Sequence, residues 1–224
     1  MLANLPAIAE AKTIKRGLSP LFDAEGNLKR LIALFAPIYS DQVREAGQEA
    51  MLLIGVAGFD YENPLVTAFI TGRNGKVSKG IDEETNKQLR AELSAGLAEG
   101  EDVAELAARI EKVYGAAAGF RADRIARTET IRANNWASEE AWRQSDLVEA
   151  KEWFTAKDER VCPYCNPMNG KIVELGGRYF NKGDEMEGED GSTLKLTYEH
   201  IEQPPLHSNC RCVLLPVLKS VDEL

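Results

Sequence analysis

Apolar residues recur at helical spacing through the first quarter of the chain. Leu28, Leu31, Ile32, Leu34 and Phe35 share one face, and beyond Pro37 the pattern resumes through Val43, Ala46, Ala50, Leu53 and Ile54. This predicts a helical arm reaching to about Gly58, entered from the turn Asp23–Gly26, with Pro37 as a kink or break. Gly55, Gly58 and the pair Asn63-Pro64 predict its end. From Leu65 to Gly80 short apolar residues alternate with glycine, which predicts a connector with a turn at Arg73-Asn74-Gly75. Three helices should follow. The first opens on Asp82, Glu83 and Glu84, acidic groups suited to the positive end of a helix dipole, buries Leu89, Leu93 and Leu97, and ends near Gly96 and Gly100. Asp102 is placed to cap the second, which carries Val103, Leu106, Ile110 and Val113. Gly115 and Gly119 separate it from the third, over about Phe120–Gln144.

That third helix has apolar residues on most of its circumference. Ala122, Ala126, Ala133, Ala137 and Ala141 make a face of little bulk, Phe120, Ile131 and Trp142 a second, Ile125 and Trp136 a third. A central, largely buried helix is implied, and with it a polar seam of Arg124, Thr128, Arg132 and Asn135 whose groups need partners. Three readings compete for the seam. In the first, Arg124, Arg127, Thr128, Glu129 and Arg132, with Asp158, form an internal polar network tying the helix to the strands that follow. In the second, Arg121, Arg124, Arg132 and Arg143 contact a DNA backbone, although Asp123, Glu129, Glu139 and Glu140 lie among them. In the third the arginines are simply solvated.

Past Asp146 the period changes. Lys151–Thr155 reads as a half-buried strand, Lys171–Val173 as its hairpin partner and Val213–Val217 as a returning third strand. The stretch between the last two is polar, with an acidic, glycine-rich run from Gly183 to Ser192 that reads as a solvated loop. Its Asp184, Glu185, Glu187, Glu189 and Asp190 are hard oxygen donors without the glycine and glutamate placement of a calcium loop.

Composition narrows the classes. A chain of 224 residues with 44% hydrophobic content can bury a real core, as one domain with appendages or as two small ones. A net charge of −9 argues against broad wrapping of nucleic acid. The N-terminal stretch has no basic region followed by an apolar run, and no segment is long and apolar enough to span a bilayer, so synthesis in the cytoplasm without membrane insertion is expected.

All four cysteines fall in two short stretches: Cys162-Pro-Tyr-Cys165 and His207-Ser-Asn-Cys210-Arg-Cys212. The first spacing lets two thiolates point at one soft cation, and the second adds Cys210, Cys212 and His207. Five donors exceed the four positions of tetrahedral zinc, so four of Cys162, Cys165, His207, Cys210 and Cys212 would bind and one would stand aside. Buried free thiols and disulfides remain alternatives, the latter disfavoured in a reducing compartment. If a metal binds, its role is structural: closing the predicted sheet brings the two halves together, and a catalytic zinc would keep an open position beside a general base. Asp158 and Glu159 precede the first pair, where acids most often shape a turn, and no nucleophile or paired carboxylate joins them. No catalytic residue is predicted.

Residues 153–170, followed by His207–Cys212 and preceded by Ile125-Ala-Arg-Thr-Glu-Thr130, resemble the signature of the phage Mu F-like minor head proteins, or phage head morphogenesis proteins. The likeness is clearest from about Ile81 to Val217. It implies a minor capsid protein in the virion of a tailed phage or prophage, at the portal vertex of the head and assembled in the host cytoplasm. Its partners would be the portal protein, with major capsid or scaffolding protein and double-stranded DNA as further candidates; no membrane and no small-molecule substrate are implied. Roles in head morphogenesis and DNA packaging, and ejection with the DNA, belong to the same implication. No appended effector domain is expected after Val217. The expected fold is α+β and mostly α. It comprises a helical N-terminal arm (1–64), a helical bundle (65–146) and a small antiparallel sheet in a cysteine-rich, zinc-stapled domain (147–224), with 80–217 as the Mu F-like module. The alternatives are a zinc-stapled DNA-binding module and an enzyme acting through Asp158 or Glu159.

Overall fold

A computed structural model describes residues 24–101, 103–116, 122–156 and 158–220. The elements run α1 (Ala24–Leu53), α2 (Pro64–Glu99), α3 (Val103–Ala116), α4 (Ala122–Ser145), β1 (Val148–Phe154), β2 (Ile172–Glu174), β3 (Glu185–Glu187), β4 (Thr193–Lys195) and β5 (Val213–Leu218). The fold is therefore α+β and mostly α, with a small antiparallel sheet, as the patterning predicts. The expected turn at Asp23–Gly26 is not seen, because α1 already runs from Ala24 through Gly26. Asp23, the cap at Asp102, the residues Gly119, Phe120 and Arg121, and the side chains of Leu97, Val103, Leu106 and Ala122 lie outside the described residues.

Two expectations fail in the helical part. Residues 65–80 are not a connector, and Asp82 does not open a helix, because α2 runs unbroken from Pro64 to Glu99. The Asn63-Pro64 pair starts this helix: the Leu65 N–H donates to Asn63 Oδ1 at 2.9 Å, and proline sits at the first helical position, where no N–H is needed. Glycines 72, 75 and 80 have open space where a side chain would stand, so they cost the helix entropy without marking a close approach. Likewise α1 continues through Pro37. The predicted end near Gly100 holds. Its φ of +76° is the left-handed exit of a helix C-terminus, and the Glu101 N–H returns to the Gly96 carbonyl at 3.0 Å.

The chain divides into two compact units. The first takes in residues up to Pro37 and Thr71–Ala118. There Asn74, buried, donates to the Ile32 carbonyl at 2.8 Å and accepts from Ser78 Oγ at 3.2 Å, a polar tie that helps hold the glycine-rich start of this part of α2 in place. Arg109 on α3 binds Glu92, Glu99 and Glu101 at 2.7–3.1 Å, and this cage of carboxylates raises its already high pKa, the Glu101 hydrogen bond most of all.

The second unit comprises Ile38–Ile70 and Gly119–Leu224. Ala133, Ala137 and Ala141 on α4 are buried, as the low-bulk face predicts, whereas Ala126 is exposed; Trp142, from the second apolar face, is buried too. Trp142 Nε1 donates to the Ala50 carbonyl at 3.2 Å, and Trp136 stacks on Phe69 with centroids 4.0 Å apart. Gly47 on α1 is a close-approach glycine: a Cβ there would lie 2.4 Å from the Phe59 ring. Gly47→Ala is expected to destabilise the protein by about 1–3 kcal/mol through overpacking, with up to about 1 kcal/mol returned by helix propensity. Urea denaturation would check this, and an unchanged midpoint would show that Phe59 moves aside freely.

The three-stranded sheet has the order β2-β1-β5, all antiparallel, with Trp153 opposite Leu214 and Glu152 between Ile172 and Leu215. Helix α4 packs on β1 and β5. The acidic run is not a free loop, since β3 and β4 pair as a hairpin within and just beyond it. Met186 on β3 and Leu196 just after β4 are buried in a core with Trp153, Met168, Ile201, Leu206, Cys165, Cys210 and Cys212. Apolar burial of those two side chains is what a solvated-loop reading overlooks.

Candidate metal centre

The first half of the cluster grows out of the β1–β2 connection. Beyond Phe154 the chain turns through Asp158, whose Oδ1 accepts the Arg160 N–H at 3.0 Å, and reaches Cys162. Cys165 then folds back: its N–H donates to the Cys162 carbonyl at 3.1 Å and lies 3.2 Å from the Cys162 sulfur. That geometry turns both sulfurs towards His207. A short 3-10 turn, Asn166–Met168, buries Met168 and leads to Gly170, whose φ of +81° lets its N–H return to the Trp153 carbonyl at 2.8 Å. Asn169 anchors the loop by accepting the Thr155 N–H at 3.0 Å.

The second half is the turn entering β5. The Cys210 N–H bonds the His207 carbonyl at 3.2 Å, and Asn209 takes the left-handed conformation at φ +63°. His207 Nδ1–H donates to the Ser208 carbonyl at 2.8 Å, which leaves the lone pair on Nε2. Nε2 lies 2.9 Å from the Cys162 sulfur and 3.2 Å from that of Cys165, and the Cys165 and Cys210 sulfurs are 3.6 Å apart. The structure thus brings all five predicted donors to one place. The donor atoms of Cys162, Cys165 and His207 lie within 4.8 Å of one another, as do those of Cys165, Cys210 and Cys212, so Cys165 belongs to both groups.

Donor separations around tetrahedral zinc are about 3.5–3.8 Å for sulfur and nitrogen ligands, and within each group of three the donors stand within 4.8 Å of one another. The chemistry fits a soft cation. Cys165, Cys210 and Cys212 are buried and Cys162 and His207 partly so. Hydrogen bonds from Cys165 and Cys210 pull the Cys212 thiol well below its ordinary range, whereas the hydrogen bond to Cys210, that to Cys212 and then burial push Cys165 far above it. Thiols crowded in this way cannot all ionise together unless a cation stands among them. None of the four is in a disulfide.

Asp158 ties the halves together. Its two oxygens accept from Arg211 Nη2 and Nη1 at 2.5 and 2.7 Å, a bidentate pair between the first loop and the residue separating Cys210 from Cys212. The Arg211 hydrogen bond, reinforced by Arg160, holds the Asp158 carboxyl well below the usual carboxylate range, so it serves as a fixed anion and not as a proton donor. Glu159 is exposed.

Polar groups of the α4 seam find partners on other elements. Glu129 accepts from Tyr39 Oη at 2.7 Å and lies 3.8 Å from Arg132 Nε, while Arg132 Nη1 pairs with Glu199 at 2.6 Å. Thr128 Oγ1 donates to the Arg124 carbonyl at 2.6 Å and accepts the Asn209 N–H at 3.2 Å. Asp158 pairs with Arg211 and Arg160. Arg124 and Arg127 are exposed. Of the arginines considered for DNA, Arg121 lies outside the described residues, Arg132 is ion-paired, and Arg143 binds Glu139 and Glu140 at 3.1 and 2.6 Å. These carboxylates compete with any phosphate.

The periodicity misses a second charged group. Lys151 on β1 is fully buried, its Nζ 2.7 Å from Glu139 on α4, and Glu139 also accepts from the Gly176 N–H at 2.9 Å. Burial lowers the Lys151 pKa against the opposing pull of Glu139. The signal available was its position, two residues before Trp153 on the inward register of β1.

The family model described as Phage Mu protein F like protein matches residues 87–215. No curated protein and no solved structure matches the chain. The match takes in the last third of α2, all of α3, α4 and β1 to β4, and the first half of β5, and it spans both halves of the cysteine cluster. More than half of the chain lies within it, and the protein belongs to the Phage Mu protein F like family, a family of phage head morphogenesis proteins.

Proposed function

We propose that this protein is a structural minor head protein of a tailed phage or prophage. It sits against the portal ring, acts in head assembly and DNA packaging, and is a candidate for ejection with the DNA. The observation that carries this reading is the family match across residues 87–215, which unites the α4 signature block and both cysteine stretches. Membership of a head morphogenesis family makes other head components the expected partners, with the portal protein first among them. No helix among the described residues is long and apolar enough to cross a membrane.

In this reading four of Cys162, Cys165, His207, Cys210 and Cys212 hold a zinc ion whose task is structural. The thiolate-rich donor set, the partial burial and the fixed His207 tautomer all favour a closed, soft-metal site. Such an ion would pin the β5 entry to the β1–β2 connection, so that the sheet closes through the metal as well as through its hydrogen bonds.

Quantitative mass spectrometry of purified particles, with portal protein as the internal standard, tests the assignment. A fixed ratio to portal that survives washing is expected, with loss from emptied heads if the protein leaves with the DNA. Absence from both procapsids and mature particles would overturn the head-protein reading.

A further inference from the structure

The second half of the cluster is fastened from outside as well as by its own turn bond. Its turn, Asn209 to Leu214, is fastened to helix α4 by three hydrogen bonds from two side chains. Thr128 Oγ1 accepts the Asn209 N–H at 3.2 Å while donating to the Arg124 carbonyl, which fixes the hydroxyl rotor. Asn135, two turns further along and buried, uses its whole amide. Nδ2 donates to the Cys212 carbonyl at 3.2 Å and to the Ile131 carbonyl at 2.8 Å, and Oδ1 accepts the Leu214 N–H at 2.8 Å. Leu214 faces Trp153 across the β1–β5 ladder. The residues so held flank Cys210 and Cys212 on both sides, and Asn209 is the left-handed residue that turns the chain between His207 and Cys210.

We propose that Thr128 and Asn135 are positioning residues of the metal centre. They hold the His207–Cys212 turn on α4 so that its donors meet the Cys162–Cys165 pair. The inference rests on the zinc reading above and deepens it. Free of α4, the turn would have to order itself at the moment the metal binds, and that entropy would be taken from the affinity. Held on α4, the donors are in place beforehand, which is the effect expected of groups that orient metal ligands without touching the metal. Helix docking and metal binding thereby become coupled events, each favouring the other.

Cobalt(II) titration of the full chain, with the visible absorption bands as readout and zinc affinity measured by competition with a chromophoric chelator, tests the proposal. Thr128→Val and Asn135→Ala are expected to weaken binding about tenfold or more and to broaden or shift the cobalt bands, whereas Thr128→Ser, which keeps the hydroxyl, restores both. Asn135→Asp keeps the acceptor for Leu214 but turns a carboxylate towards two carbonyls, and should behave like the alanine variant. Tyr39→Phe, which removes the bond to Glu129 on the same helix, serves as the stability control: it should lower the thermal midpoint and leave the cobalt spectrum unchanged. Wild-type affinity and spectrum in Thr128→Val and Asn135→Ala would overturn the proposal. So would an affinity loss in Tyr39→Phe matching theirs at equal destabilisation. Failure of the wild-type chain to bind cobalt or zinc would remove the zinc reading itself and this inference with it, whereas the first two results would leave the zinc reading intact.

Discussion

Replacement of Cys165 by serine is expected to abolish stoichiometric zinc binding and to cost the cysteine-bearing sheet several kcal/mol of stability. Cys165 is the residue that belongs to both groups of close donors, so its loss damages the site whichever of the other four stands aside. A structural zinc site contributes about 10–16 kcal/mol of apparent folding free energy in finger peptides. Here part of the work is shared with a buried core around Trp153, Met168, Leu196, Ile201 and Leu206, so a smaller fraction should be lost. At about 2–4 °C per kcal/mol for a chain of this size, the thermal midpoint should fall by about 10 °C or more. Elemental analysis of purified protein together with calorimetry checks both parts, and a chelator should reproduce the shift in the wild type. Unchanged metal content in Cys165→Ser would refute the zinc site. Acidification should release the metal, because thiolates and imidazole must be deprotonated to bind.

The other large effect is expected at Glu139. Glu139→Ala leaves the Lys151 ammonium fully buried with its carboxylate partner gone, and breaking a buried pair in this way costs about 3–5 kcal/mol. The same substitution also removes an acceptor from Arg143 and from the Gly176 N–H, which adds to the loss. Replacing both members with apolar residues, as in Glu139→Leu with Lys151→Met, is expected to recover much of the stability, since neither charge then needs solvation. Chemical denaturation of the two variants decides the matter. Equal midpoints for Glu139→Ala and the wild type would mean that water reaches Lys151 when its partner is gone. The pair joins α4 to β1 on the opposite side of Trp153 from the loop that carries Cys162, so it sets the same helix–sheet contact from another place along the strand.

Neither position announces itself as a partner of the other. A lysine inside a seven-residue strand reads as a solvated face, and a glutamate among Glu139, Glu140 and Arg143 reads as surface charge. Only their approach across the helix–sheet contact shows that the two desolvation costs are met together. Asn135 is a similar case. Its place in the polar seam follows from the helical period, but its partners, Cys212 and Leu214, lie 77 and 79 positions away.

Local chemistry accounts for what was legible. The change from a period near four to a period of two at Asp146 separates helix α4 from strand β1, and three apolar runs bounded by turn residues suffice to predict a small antiparallel sheet of a hairpin and a returning strand, while the central place of β1 in the order β2-β1-β5 is set by the tertiary structure. The cysteine spacing and the histidine three residues before Cys210 determine the candidate ligands, because donor type and reach are properties of the residues themselves. The family signature is likewise a matter of residue order. Tertiary structure decided the rest. It continued α2 through a glycine-rich start that propensity alone reads as a connector, with the buried Asn74 and Ser78 supplying bonds a connector would lack. It folded an acidic run into a hairpin by burying Met186 and Leu196. It also gathered five donors from two loops, because the sheet's register, and no local preference, determines where two distant turns meet.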